Sequence, residues 1–462
     1  MQKDIIQFET PEINSLSYTG GFMRLRITKE RIIGLLVFLT VPFSTEALFA
    51  PILTHEELVN RFRVKIAEGF RPGDHHLELR DLGFEHADLI PADESAITSL
   101  VETPDGDIFG GTTGYVSHLF VYSYRPGRVK KLSNWVRHLG KIPGHESIHH
   151  SLVCDDDGII YFGTGLNELT QHPISFPQPG NAGIMKSLWA DIEGRYADYE
   201  GGRLFRFDYA AEKREWIGPH DECGAEDLGI PVPHDGIYAL TINKKRKEIY
   251  GITYPRGHFF VYQIEKKKFI DKGSVYKQLV YPGPNNRTLR GITATLVCDD
   301  KSFVYGSGDA GRLFRYDPES GQIEVTDIKI PAVYYSVTEA FAKDENGLIY
   351  GGTNEGYLFR FDPEKLKLTN LGKPFVQMRI RALTVGKNGC IYGIGGERPK
   401  HCRMFRFDPK ESHYDDLGIL KAIREPYYNW TGLQFDSMVT GKDGIIYVGE
   451  SERRSHLFIY YP

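Results

Sequence analysis

Histidine, tyrosine and arginine recur in this 462-residue chain just before or just after short apolar segments. One group reads His145-Glu146-Ser-Ile-His149-His150, and another reads His234-Asp235-Gly-Ile-Tyr238. Arg287 and Arg290, Tyr334-Tyr335, Arg379 and Arg381, and Tyr427-Tyr428-Asn-Trp430 occupy corresponding places further on. His172, Tyr254, Arg256, His258, Asp309, Glu397 and Glu450 stand a strand later in their segments. Imidazole and phenol groups can exchange protons near neutral pH, and guanidinium groups recognise carboxylates. Each residue also has a plainer reading. A lone His is usually a satisfied structural group, Tyr and Trp can plug a channel, and Arg381 can simply pair with a neighbouring carboxylate. The gathering of such groups at equivalent places favours a shared site. His145, His149 and His150 with Glu146 also admit a divalent metal such as zinc or calcium, as does the weaker pair His401-Cys402. A strand entry by itself fixes no ligand geometry, so no cofactor is assigned.

The elements that position these residues repeat seven times. A short apolar strand of the form Tyr-x-Gly, with its aromatic at Phe109, Tyr161, Tyr250, Tyr305, Tyr350, Tyr392 and Tyr447, leads to a strand resembling Leu-Phe-Arg-Phe-Asp. Five of the six intervals run from 42 to 55 residues, the span of a four-stranded propeller blade. The sixth, from Tyr161 to Tyr250, is 89 and implies a large insertion, Leu166–Gly202, which is expected to wall or cover a site. The copy from Ser336 to Gly372 shows the plan: strands over Val337–Lys343, Leu348–Thr353 and Tyr357–Phe361, a turn at Asp362-Pro363, and a last strand ending at Leu371-Gly372. Alternating apolar residues fit strands half-buried between blades, and no 3.6-residue period is present.

The seventh copy stops at its third strand. The orphan Leu77-Glu-Leu-Arg-Asp-Leu-Gly83 resembles a fourth strand, so it is expected to complete the last blade and close the ring. The fold class is therefore all-β, a seven-bladed propeller over residues 77–462. A closed ring leaves no free edge, and a monomer is expected. The Asp-Gly and Asn-Gly turns between first and second strands share one face with the Asp-Pro turns. The strand entries and the second-to-third loops, which hold the unusual side chains, share the other.

Outside the ring, residues 1–50 read as an upstream extension and an export signal. Arg24, Arg26, Lys29 and Arg31 precede the apolar run Ile32–Val41 and a small-residue stretch reaching Ala47 or Ala50, and Met23 is an alternative start. The run is too short for a bilayer span and contains no following Cys for a lipid anchor. A secreted or periplasmic location follows, with no membrane attachment beyond the signal. Residues 51–76 read as a lead-in, with a short helix over Glu56–Glu68. The net charge of -5 argues against nucleic acid as partner, and Lys244–Lys247 suits a solvated hairpin turn. Five cysteines form no paired framework; Cys154 and Cys298 suit buried thiols.

Two stretches, His149-His150-Ser-Leu-Val-Cys-Asp-Asp-Asp-Gly158-Ile-Ile-Tyr-Phe-Gly-Thr164 and Gly251-Ile-Thr-Tyr-Pro-Arg-Gly-His258-Phe, resemble the seven-bladed propeller polysaccharide lyases, the secreted ulvan and rhamnose–glucuronate lyases. The resemblance implies β-elimination of a uronic acid glycoside in an acidic polysaccharide, with two His, a Tyr and an Arg around the scissile bond. His150, His172, Tyr238 and Arg256 match those catalytic places, with His149, Tyr254, His258, Arg290, Tyr335, Arg381 and Trp430 as substrate-binding neighbours. The chemistry is coherent. A uronate C5 proton is weakly acidic until a cation neutralises the adjacent carboxylate, and then a base and an acid complete the elimination. Tyr238 or His172 suit base and acid, and His150 suits holding the carboxylate. Two other readings use the same face: a non-catalytic carbohydrate- or protein-binding propeller, and a metal-dependent hydrolase or lactonase.

Overall fold

In a computed structural model, the structure describes residues 65–66, 76–78, 90–123, 136–167, 198–212, 220–276, 293, 295–308, 311–333, 337–396, 400–424, 428–452 and 455–462. Among these residues the chain forms seven sheets, one per repeat, each with four antiparallel strands and that of blade six with a fifth, parallel strand at its edge. A two-stranded hairpin, Lys421–Arg424 with Tyr428–Thr431, and a single 3-10 turn at Ala92–Glu94 complete the described elements, with no helix long and apolar enough to cross a membrane. The chain is a seven-bladed β-propeller. The innermost strands are Ala96–Glu102, Leu152–Cys154, Gly236–Asn243, Val297–Cys298, Thr338–Lys343, Ile380–Val385 and Phe435–Thr440. They neighbour one another in that order, and the seventh neighbours the first.

The aromatic repeat makes the core. Phe109 and its six Tyr counterparts are all at most 2% exposed. Seven apolar clusters among the described residues each join two adjacent blades. Tyr250 and Phe259 of blade three pack with Phe314 and Tyr316 of blade four, for example. Burying each such side chain is worth about 1.5–3 kcal/mol, so the blades are held mainly face to face. The Tyr-x-Gly form holds in four blades, at Gly111, Gly163, Gly352 and Gly449. There the missing Cβ makes room for Ile148, Ile237, Ile380 and Ile97 of the next blade. In blades three, four and six a glycine follows the Tyr directly, at Gly251, Gly306 and Gly393, beneath Phe260, Phe314 and Phe405. Both placements answer the same demand for close approach.

The ring closes as expected: His76–Glu78 pairs antiparallel with His456–Tyr460, Leu77 opposite Leu457, as the fourth strand of blade seven. Within the span Glu56–Glu68, where a helix is expected, the described residues Lys65–Ile66 form a strand instead. Lys65–Ile66 pairs parallel with Asp415–Asp416 on the outer edge of blade six, where an edge strand offers unpaired backbone groups. The rest of the lead-in before His76, and the stretch expected to be an export signal, lie outside the described residues. The basic stretch Lys244–Lys247 is a turn between Gly236–Asn243 and Glu248–Tyr254, with Lys244 3.2 Å from Asp156. All five cysteines are free; Cys154 is buried and Cys298 partly so.

Strand entries and second-to-third loops do share a face, because their backbones bond to each other. Gly114 donates to the Glu146 carbonyl, Gly202 to Asp235, Arg379 to Asn354 and Ser451 to Gln434. On the opposite face the turns are stereotyped, as at Asp344–Leu348, where Asp344 Oδ1 accepts from Asn346 and Leu348 and Gly347 takes φ 78°.

Candidate functional site

A bulge recurs near the top of the innermost strands. The register slips between Ile97 and Ser99, Ile237 and Ala239, Thr338 and Ala340, Ile380 and Ala382, and Phe435 and Ser437. The residues displaced from the ladder are Thr98, Tyr238, Glu339, Arg381 and Asp436. Bulges of this kind re-aim a side chain, and here they put polar groups at one level of five blades. Blade two differs. Ile148–Asp155 is one residue longer than Ile97–Thr103, Ile237–Asn243 or Ile380–Gly386, and the doubled His149-His150 occupies the extra length.

These two histidines meet the bulge residue of blade three. The His149 ring lies flat on Tyr238, with centroids 4.2 Å apart and planes at 13°. His150 stands edge-on to His149, with centroids 4.5 Å apart, and Tyr254 lies 5.6 Å from Tyr238 on the next strand. The backbone fixes this register, since the His150 carbonyl accepts from Leu240. His149 is buried, and His150 and Tyr238 are half-buried. Four of the expected residues therefore form one continuous group across blades two and three.

Arg256 follows Tyr254 in the same blade. Its Nε donates to Asp235 Oδ1 at 2.8 Å and its Nη2 to the Pro233 carbonyl, while Thr253 holds the other Asp235 oxygen at 2.6 Å. Asp235 is buried and Arg256 half-exposed, so the guanidinium plane is fixed with part of it open to solvent. His258 is directed elsewhere. Its Nδ1 lies 3.0 Å from Asp271 on the outermost strand of blade three, because its place at the start of the third strand faces that strand. The structure thus binds His258 to the blade edge and does not join it to Tyr238.

Arg381 does find the neighbouring carboxylate. Its Nε pairs with Asp436 Oδ1 of blade seven, and both side chains are almost wholly buried. Beside them Arg379 donates to Glu339 of blade five through Nε at 3.0 Å and Nη2 at 2.6 Å. Arg379 takes φ 63°, a conformation uncommon outside glycine. Burial opposes ionisation of Asp436, but Arg381, Arg379 and His149 outweigh it and hold the carboxyl well below the usual range. The His149 group and the Arg381–Asp436 pair therefore share one electrostatic environment.

The metal arrangement considered for blade two is not formed. His145 Nδ1 lies 3.0 Å from Thr164 Oγ1, Glu146 accepts from the Asn167 backbone, and His149 is stacked on Tyr238. Burial, aided by Arg203, lowers the His145 pKa to about 4. His401 bonds the Gly432 carbonyl, while Cys402 is buried in the core. Among the described residues no three His, Cys, Asp or Glu side chains converge as a metal site. Glu450 is also engaged. It takes the place of Thr253 and Thr353 in the repeat and accepts from the His456 backbone and from His456 Nδ1 at 2.7 Å.

His172, Arg287, Arg290, Asp309, Tyr334, Tyr335, Glu397 and Tyr427 lie outside the described residues, as does most of the blade-two insertion. Trp430 lies on the strand Tyr428–Thr431, paired with Ala422. Sequence reasoning missed Glu339 and Asp436. Their signal was present in the repeat itself: Ile-Thr98-Ser, Ile-Tyr238-Ala, Thr-Glu339-Ala, Ile-Arg381-Ala and Phe-Asp436-Ser fall in one column. A second buried group was also missed, in which His118 joins His138 at 3.0 Å and Glu94 at 2.7 Å.

No protein-family profile matches the chain, and no curated protein does. Solved structures resemble it in fold. A streptogramin B lyase structure superposes with a TM-score of 0.52 at 12% identity, covering 83% of this chain and 96% of that one. A catalytically inactive virginiamycin B lyase from Staphylococcus aureus, with quinupristin, gives 0.52 at 10% identity, covering 84% and 99%. At these identities the likeness is one of architecture. Propellers named as lyases share the ring.

Proposed function

We propose that this protein is a secreted or periplasmic polysaccharide lyase that cleaves a uronic-acid-containing polysaccharide by β-elimination, acting as a monomer on an acidic polymer. The observation that carries the reading is the contiguous group of His149, His150, Tyr238 and Tyr254, on the face that also bears the clamped Arg256. The reaction needs a base for the C5 proton, an acid for the departing O4, and a cation beside the C6 carboxylate. As the C5–H electrons form the C4–C5 double bond, the C4–O4 bond breaks and O4 takes a proton. Tyr238 and His172 supply the base and acid, His150 orients the carboxylate, and Arg256 draws off charge as the enediolate develops. An imidazole stacked flat beside the phenol suits recognition of a sugar edge. The resemblance of the two sequence stretches supports the same assignment, and the charged stretch preceding an apolar run supports export.

The test is a screen of purified protein against uronate-bearing polysaccharides, followed by absorbance of new unsaturated uronate ends. Activity on at least one polymer, abolished in His172→Ala with the fold intact, supports the reading. Retention of full activity in that variant removes His172 from it.

A further inference from the structure

The Arg381–Asp436 pair leaves one donor group unused. Arg381 is 2% exposed, and its Nη1 is buried with no hydrogen-bond partner among the described residues. A guanidinium presents five donors in a rigid fork, and a buried donor left unmade is costly enough that native structures nearly always satisfy it. Asp436 occupies Nε, so the plane of the fork is set while Nη1 points away from that contact. The surrounding charges are Arg379 with Glu339 on blade five, and His149 acting on Asp436 from blade two.

We propose that Arg381 Nη1 is the recognition point for the carboxylate of an acidic sugar at the centre of the ring, a subsite distinct from Arg256. The inference rests on the uronate reading, and it deepens that reading by assigning a second carboxylate contact on the far side of the ring from blade three. Three observations fit together. The bulge at Arg381 re-aims the side chain out of its strand, as the same bulge does for Tyr238. Asp436 holds the fork in one orientation, which suits planar recognition of a carboxylate. Arg379, in its uncommon backbone conformation, ties up Glu339, which would otherwise compete for the same donor. A bound carboxylate would complete the hydrogen bonding of Arg381, and a neutral sugar would lack the charge to do so as well.

Glucuronate is the probe, glucose its neutral counterpart, and titration calorimetry the readout, with thermal melts run beside it. The control variant is the double replacement Arg381→Met with Asp436→Leu, which removes both charges together and leaves no unpaired ion in the core. Wild type is expected to bind glucuronate at least tenfold more tightly than glucose, and the double variant is expected to melt normally and lose that preference. Equal binding of the two sugars by wild type, or an undiminished glucuronate preference in the double variant, overturns the subsite. Cleavage of uronate polymers read in the same two proteins separates the claims. Unchanged cleavage and unchanged binding in the double variant sink the subsite alone, whereas lost glucuronate preference without any polymer cleavage by wild type keeps the subsite and sinks the lyase.

Discussion

His149 lies flat on Tyr238 at 4.2 Å, and this contact exists because blade two has one residue more than its neighbours before its inner strand. The extra length puts two imidazoles where other blades offer one bulged side chain. One of them supports the phenol, and the other stands at its edge.

That geometry predicts a division of labour. Tyr238→Phe keeps the ring stack and removes the hydroxyl, so uronate cleavage should fall about 10²–10⁴-fold while the melting temperature stays close to wild type. A Tyr238→Phe protein with full activity would show that the phenol takes no part in proton transfer.

The central ion pair makes a prediction about stability. Asp436→Ala leaves Arg381 charged and buried without its partner, which should cost about 3–5 kcal/mol in denaturant unfolding. The double replacement by Met and Leu should recover most of that loss. If Asp436→Ala alone unfolds like wild type, the pair is not buried as described.

The packing rule behind the repeat is separately testable. A Cβ on Gly351 would stand 2.1 Å from Phe359 Cζ, under a ring that is fully buried. Gly351→Ala should therefore destabilise the protein by about 1–3 kcal/mol, measured by chemical denaturation. A neutral outcome would mean that blade five repacks freely.

Acid sensitivity follows from His145. Its pKa falls from 6.5 to about 4 in the folded protein, so the unfolded chain binds the proton more readily. Stability from this group is fully present above pH 6.5, declines as pH falls towards 4, and changes no further below that. The loss amounts to about 3 kcal/mol at most. Melting curves from pH 7 to 4 should show a steeper decline for wild type than for His145→Gln; parallel curves would contradict the shift.

The blades were legible because their aromatics are periodic, and packing between blades requires that period. Closure by Leu77 was legible for a related reason, since a seventh repeat lacking its fourth strand needs one from elsewhere. The site was legible in part. His149, His150 and Tyr238 stand at entries, and Tyr254 at the following second-to-third loop, on the face where the repeat brings them together, whereas His258 looked equivalent and bonds Asp271 instead. Which way a side chain leaves a strand depends on a one-residue bulge, and no residue type announces it. Glu339 and Asp436 escaped notice because a carboxylate in a strand reads as a solvated position until its partners, Arg379 and Arg381, are placed beside it. Lys65–Ile66 escaped for the opposite reason: its parallel pairing is a backbone one, which no side-chain pattern signals.

The account depends most on elimination at a uronate. Purified protein incubated with a panel of uronate-bearing polysaccharides should generate the absorbance of unsaturated uronate ends on at least one of them, and the signal should vanish in the His150→Ala variant. No such absorbance on any polymer, or cleavage that yields saturated ends, would contradict it.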